Sequence, residues 1–82
     1  MNEAKRQENE KKFATWETLA DGGRRYSYEV KGRLGSSARY IKEVDRQEVT
    51  LRFCQEIYNE HGELIEVHEK FPTDKGHQKV KK

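Results

Sequence analysis

The apolar residues of this chain recur at every second position, and turn-forming residues interrupt the pattern at intervals. The alternation is clearest in three segments, 26–30, 49–53 and 64–71. Successive side chains of a β-strand point to opposite faces of a sheet, so a period of two predicts strands with one buried face. Residues of the Gly, Ser, Asn and Asp type supply turns between these segments, at 21–23, 35–37 and 59–62. The sequence therefore predicts a mainly β fold.

Short connections favour antiparallel pairing of strands that follow one another in the chain. The predicted fold is a five-stranded antiparallel meander, which forms a curved sheet or a small barrel. The predicted strands cover 13–20, 24–33, 39–44, 48–58 and 63–71. The predicted core side chains are Trp16, Tyr26, Tyr28, Val30, Tyr40, Val44, Val49, Leu51, Phe53, Ile57, Ile65 and Val67. The polar side chains predicted on the water-exposed face are Glu29, Lys31, Glu48, Thr50 and Arg52.

The N-terminal part of the chain has two structural interpretations. Residues 1–12 are polar and are predicted to be a frayed lead or a short helix, because a short helix without an apolar face is marginal in water. Residues 13–20 fit a strand that turns at 21–23 and pairs with the next strand. The alternative is a helix across residues 3–20 that stops at Gly22.

The chain has 82 residues and is predicted to be one β-meander domain, 13–72, between polar ends. Only 32% of the residues are apolar and 39% are charged, so the core of such a short chain is small. Residues 13–71 carry nine basic and eleven acidic side chains, whereas residues 72–82 carry four lysines and one aspartate. Residues 73–82 are therefore predicted to be a flexible basic tail. The folded body lacks the positive charge that a phosphate backbone attracts.

Cysteine content and hydropathy predict where the protein works. Cys54 is the only cysteine, so no internal disulfide forms, as is usual in a reducing compartment. No apolar segment approaches the ~20 residues that would span a bilayer. Residues 1–12 also lack the apolar region of a secretory signal. We expect a soluble cytoplasmic protein with no membrane partner and no small-molecule cofactor.

The pattern of histidines predicts no metal site. Zinc ligands usually come in close local pairs, whereas Cys54, His61, His68 and His77 are seven to nine residues apart. The run 68–77 does combine His, Glu and Lys side chains, which can act as acid and base. A small toxin-like ribonuclease centred on His68 and Lys70 is therefore one hypothesis, although the sequence predicts no enzyme and no catalytic residue.

The predicted function is a non-catalytic interaction module. A sheet with so few apolar residues needs a cover for its buried face, so it would bind a protein partner or self-associate into a homo-oligomer. The alternative is a nucleic-acid-binding module that uses its basic tail and exposed aromatic and basic side chains. The candidate residues for binding a ligand or nucleic acid are Arg24, Arg39, Arg52, Tyr58, His68, Lys70, Lys75 and Lys79.

Overall fold

The computed structural model describes residues 2–80, which form one helix and one sheet. The elements in chain order are α1 (Glu3–Lys12), β1 (Thr15–Thr18), β2 (Arg24–Lys31), β3 (Ser37–Val44), β4 (Thr50–Tyr58), β5 (Leu64–Phe71) and β6 (Gly76–Lys79). A short 3-10 turn, Arg33–Gly35, lies between β2 and β3. Each strand pairs antiparallel with the next one in the chain. The predicted antiparallel meander is therefore confirmed.

The sheet is open and has one strand more than the five that the sequence predicts. Part of the predicted flexible tail forms β6, which pairs with β5. The backbone groups of β5 would otherwise be an unpaired edge, and Asp74 helps the chain to turn back by accepting the Gly76 N–H at 2.9 Å. β1 and β6 lie at opposite ends of the strand order, so the described residues form no barrel. Met1, Lys81 and Lys82 lie outside the described residues.

The N-terminal segment is a short helix followed by a strand. α1 begins after Asn2, whose side-chain oxygen accepts the N–H of Lys5 at 3.1 Å. It ends at Phe13, whose own N–H bonds the carbonyl of Asn9. β1 begins and ends with a threonine, a β-branched residue that favours strands. It pairs with β2 and does not extend the helix. The long helix across 3–20 is therefore not formed. Helix α1 is too short and too polar to cross a membrane, and it is the only α-helix in residues 2–80.

A β-bulge at the start of β4 moves several side chains to the face opposite the predicted one. The register of β4 against β3 shifts there, which leaves Leu51 as an extra residue. A shift of one residue exchanges the two faces of a strand. The side chains before the bulge therefore point to the face opposite the predicted one. Val49 and Leu51, predicted to be core, are 49% and 51% exposed. Glu48, predicted to face water, is only 2% exposed.

The core lies on one face of the sheet, which we call the aromatic face. Phe13, Tyr26 and Val44 are fully buried there, and Tyr28, Tyr40 and Phe53 pack against them. Helix α1 covers the end of the face nearest to Val44. Three further predicted core residues are exposed instead, namely Trp16, Val30 and Ile65.

Candidate functional site

A row of aromatic rings crosses the aromatic face. The ring of Phe13 lies 5.3 Å from that of Tyr28, measured between centroids. Tyr28 and Tyr40 are stacked at 4.9 Å with only 15° between their planes, and Phe53 continues the row 6.4 Å beyond Tyr40. The amine of Lys70 lies over the rings of Tyr40 and Phe53, at 5.3 and 5.7 Å. Such contacts add about 0.5–1.5 kcal/mol per ring pair to the burial itself, so the row helps to stabilise this face.

The end of the aromatic face far from α1 has no second layer in the part of the chain that the structure describes. Val30, Ala38 and Ile57 are neighbours in the register of β2, β3 and β4, and Val30 is 47% exposed. We call these three residues the distal patch. Leu34 lies at the tip of the β2–β3 connection at the same end, 91% exposed and with φ of 57°. This end of the sheet therefore presents apolar side chains to solvent.

The opposite face, which we call the charged face, carries one row of alternating charges. Glu17, Arg25, Glu43, Arg52 and Glu69 lie on five successive strands. Arg25 contacts Glu17 at 2.8 Å and Glu43 at 2.9 Å. Arg52 lies 3.5 Å from Glu43 and hydrogen-bonds Glu69. Both arginines of the row are therefore paired with carboxylates, and the row as a whole keeps one negative charge.

These ion pairs shift the pKa values of Arg25, Arg52 and Glu69 toward the charged forms. The hydrogen bond from Arg52 lowers the pKa of Glu69, and the same bond raises the pKa of Arg52. Bonding to Glu43 likewise raises the pKa of Arg25. Exposed pairs contribute only about 0–1 kcal/mol each, so the row fixes the register of the strands more than it stabilises the fold.

A buried polar cluster joins α1 to the sheet. Glu48 Oε1 accepts hydrogen bonds from the hydroxyl of Tyr26 at 2.5 Å and from Asn9 Nδ2 at 3.3 Å. Asn9 Oδ1 accepts a bond from the amine of Lys42 at 2.9 Å. Arg6 Nε lies 3.6 Å from the other oxygen of Glu48. The cluster therefore holds a helix that has almost no apolar side chains of its own.

Burial shifts two of these groups toward their neutral forms. It raises the pKa of Tyr26, which the hydrogen bond to Glu48 raises further. It lowers the pKa of Lys42, with the nearby amine of Lys12 acting in the same direction. Sequence reasoning missed this cluster, because the predicted parity puts Glu48 on the wrong face. The only sign in the sequence is the weak turn signal at 45–47, which contains no glycine.

Two histidines meet across β5 and β6. The rings of His68 and His77 are 4.4 Å apart between centroids. His68 Nε2 lies 2.6 Å from Asp74 Oδ1, and His77 Nδ1 lies 3.1 Å from Glu66 Oε1. The hydrogen bond from the Gly76 N–H lowers the pKa of Asp74, and the hydrogen bond with His68 lowers it further. Within residues 2–80 no group of three or more His, Cys, Asp or Glu side chains is placed so that it could hold a metal ion. The contact between His68 and His77 joins β5 to β6.

Four of the predicted binding residues lie on the first four strands and do not form one site. Arg24 contacts Glu10 of α1 at 2.7 Å. Arg52 belongs to the charged row, and Arg39 lies on the same face. Tyr58 also lies on that face, where its hydroxyl donates to Glu56 at 2.7 Å. These side chains mostly contact neighbouring carboxylates.

The other four predicted residues lie on β5, β6 and their connection. His68 and Lys70 are both on the aromatic-face side, where Lys70 covers part of the aromatic row. Lys79 follows His77 by two positions on the same side of β6, opposite Glu66 in register. Lys75 lies in the exposed connection. The structure thus brings three of the eight residues to one side of one pair of strands.

Comparisons with family models, with curated proteins and with solved structures find no match for this chain. The fold is a mainly β open sheet with one short helix. A proposal about function therefore depends on the geometry of residues 2–80 alone.

Proposed function

We propose that this protein is a non-catalytic interaction module that self-associates through its aromatic face. The observation that carries the proposal is the exposed distal patch, where Val30 is half exposed beside Ala38 and Ile57. The apolar face of a sheet needs a second layer, and α1 supplies one at the opposite end only. The proposal includes a cytoplasmic location, which suits the buried free thiol of Cys54.

A second copy of the chain is the occupant that the surroundings of the patch favour. Two antiparallel sheets pack face to face at about 10 Å, and a two-fold interface covers the same patch on both copies. Such an interface must be complementary to itself. Next to the patch, Glu66 and Lys79 lie opposite each other and offer charges of both signs. The rim of one copy therefore matches the rim of the other.

The geometry gives less support to nucleic-acid binding. Bases stack on free ring faces, whereas Tyr28 and Tyr40 already stack on each other and Lys70 covers Tyr40. Arg52 is engaged with two carboxylates. Nucleic-acid binding and ribonuclease activity at His68 and Lys70 stay predictions from the sequence.

The test is a concentration series in light scattering coupled to size exclusion. We expect the wild type to dimerise with a Kd of about 1–100 μM, as is usual for a modest interface. Val30→Glu places a charge in the distal patch and should give a monomer.

Val49→Glu is the matched control, because Val49 is equally exposed but lies at the other end of the sheet, and it should still dimerise. A wild type that is monomeric throughout the series, or equal weakening by both substitutions, would contradict the proposal.

A further inference from the structure

A cleft between α1 and the aromatic face is lined in part by Glu48, whose buried Oε2 has an ion-pair partner in Arg6 but no hydrogen bond within residues 2–80. The polar half of the cleft has a volume of about 150 Å³ and is lined by Lys5, Glu8, Lys42 and Glu48, among others. The side chain of Glu48 is fully buried, yet its Oε2 accepts no hydrogen bond from residues 2–80. Arg6 Nε, 3.6 Å away, is also without a hydrogen bond among these residues. A donor arriving with a ligand would satisfy an oxygen that is otherwise costly to bury.

The adjoining half of the cleft is apolar. It has a volume of about 240 Å³ and is lined mainly by Phe13, Phe53 and Phe71. It shares Lys42 and Thr50 with the polar half, so the two halves adjoin at these two residues. An apolar cavity of about 150 Å³ is enough to hold benzene. The apolar half therefore has room for a leucine or phenylalanine side chain.

The charges around the cleft select the class of ligand. Lys5, Lys12 and Lys42 attract an anionic group. Glu8 and Glu48 attract a cationic group. A ligand with both charges meets each set with its opposite. A carboxylate beside Lys42 would also offset the burial that lowers the pKa of this amine.

We propose that the cleft binds a free α-amino acid with an apolar side chain. The ammonium group of the ligand donates to Glu48 Oε2, and its carboxylate lies against Lys42. The side chain of the ligand packs among Phe13, Phe53 and Phe71. The distal patch lies at the other end of the sheet, so this binding does not depend on self-association.

The first test compares L-phenylalanine with two analogues that each lack one charge. Phenylpropionate has no ammonium group and phenethylamine has no carboxylate. In titrations followed by ¹H–¹⁵N NMR, we expect L-phenylalanine to bind with a Kd of about 0.1–1 mM, and each analogue at least about tenfold more weakly. The shifts should centre on Lys42, Thr50 and Phe53. Equal binding of an analogue, or no saturable shift with L-phenylalanine, overturns the proposal.

The second test removes each charge from the protein. Glu48→Gln keeps the size of the side chain and can still accept from Tyr26, and we expect it to weaken L-phenylalanine binding at least about tenfold. Lys42→Gln should weaken L-phenylalanine binding by a similar factor. This variant tests the proposal even if Glu48→Gln does not fold. Glu17→Gln, on the charged face, is the control and should bind like the wild type. Wild-type affinity in Lys42→Gln overturns the proposal whatever Glu48→Gln does.

Discussion

The two faces of the sheet are held together by different forces. On the aromatic face, Phe13, Tyr26 and Val44 are fully buried under a helix. On the charged face, the buried apolar side chains among residues 2–80 are Ile41 and Cys54, and a row of exposed ion pairs lies beside them. Burial of a large side chain contributes about 1.5–3 kcal/mol, whereas an exposed ion pair contributes about 0–1 kcal/mol. Most of the stability therefore lies on one face and at one end of it.

The two faces also give a glutamate side chain different surroundings. Glu43 on the charged face lies between two arginines and remains partly in water. Glu48 on the aromatic face is buried and depends on Tyr26 and Asn9 for its hydrogen bonds. Removing a buried carboxylate costs more stability than removing an exposed one. Water cannot reach its hydrogen-bond partners, so they stay unpaired.

The largest expected effect is the loss of the helix-side core. Phe13→Ala should lower the free energy of unfolding by about 3–5 kcal/mol, because it leaves a cavity beneath α1. Urea unfolding measures the change, with Phe71→Ala as the control at a ring that is 43% exposed. If the two substitutions were equally destabilising, the core would not be concentrated under the helix.

A smaller effect is expected from the buried carboxylate. Glu48→Ala should lower the free energy of unfolding by about 2–4 kcal/mol, since it leaves buried polar partners unpaired. Glu43→Ala, measured in the same thermal and urea unfolding experiments, should cost less than about 1 kcal/mol. A larger loss from Glu43→Ala would reverse the comparison between the two faces.

The smallest effect concerns the charged row and depends on pH. Arg52 lowers the pKa of Glu69, so the folded state favours the charged carboxylate more than the unfolded state does. This stabilisation is complete above the ordinary pKa of 4.5 and is lost as the pH falls through the lower folded value. Glu69→Gln should therefore cost less than about 1 kcal/mol at neutral pH and almost nothing in acid.

Urea unfolding of the wild type and Glu69→Gln across the acid range measures this difference. A gap between the two proteins that stays constant from neutral to acid pH would show that the Arg52–Glu69 pair is not its source.

The sequence predicts β2 to β5 because each of these strands shows local alternation or follows a clear turn. It does not predict β6, since Gly76–Lys79 has no apolar alternation and becomes a strand only beside the edge of β5. The parity rule also fails before Leu51, because a bulge is set by the pairing of β4 with β3. Those two features account for the extra strand and for Val49 and Leu51, two of the five predicted core residues that are exposed.

The candidate sites were less predictable than the strands. The alternation on β5 places His68 and Lys70 on one side, and the structure agrees. The cluster around Glu48 joins it to Asn9, 39 residues earlier in the chain. No local pattern marks a contact of that range, so sequence reasoning had no means of finding the cleft.

The sequence by itself determined where most strands and turns form, because strand alternation and turn geometry depend on residues close together in the chain. Only the tertiary structure decided which end of the aromatic face is covered and which carboxylate is buried. Both depend on where α1 docks, and polar contacts between distant residues hold it there. The uncovered end of the sheet is a result of that docking.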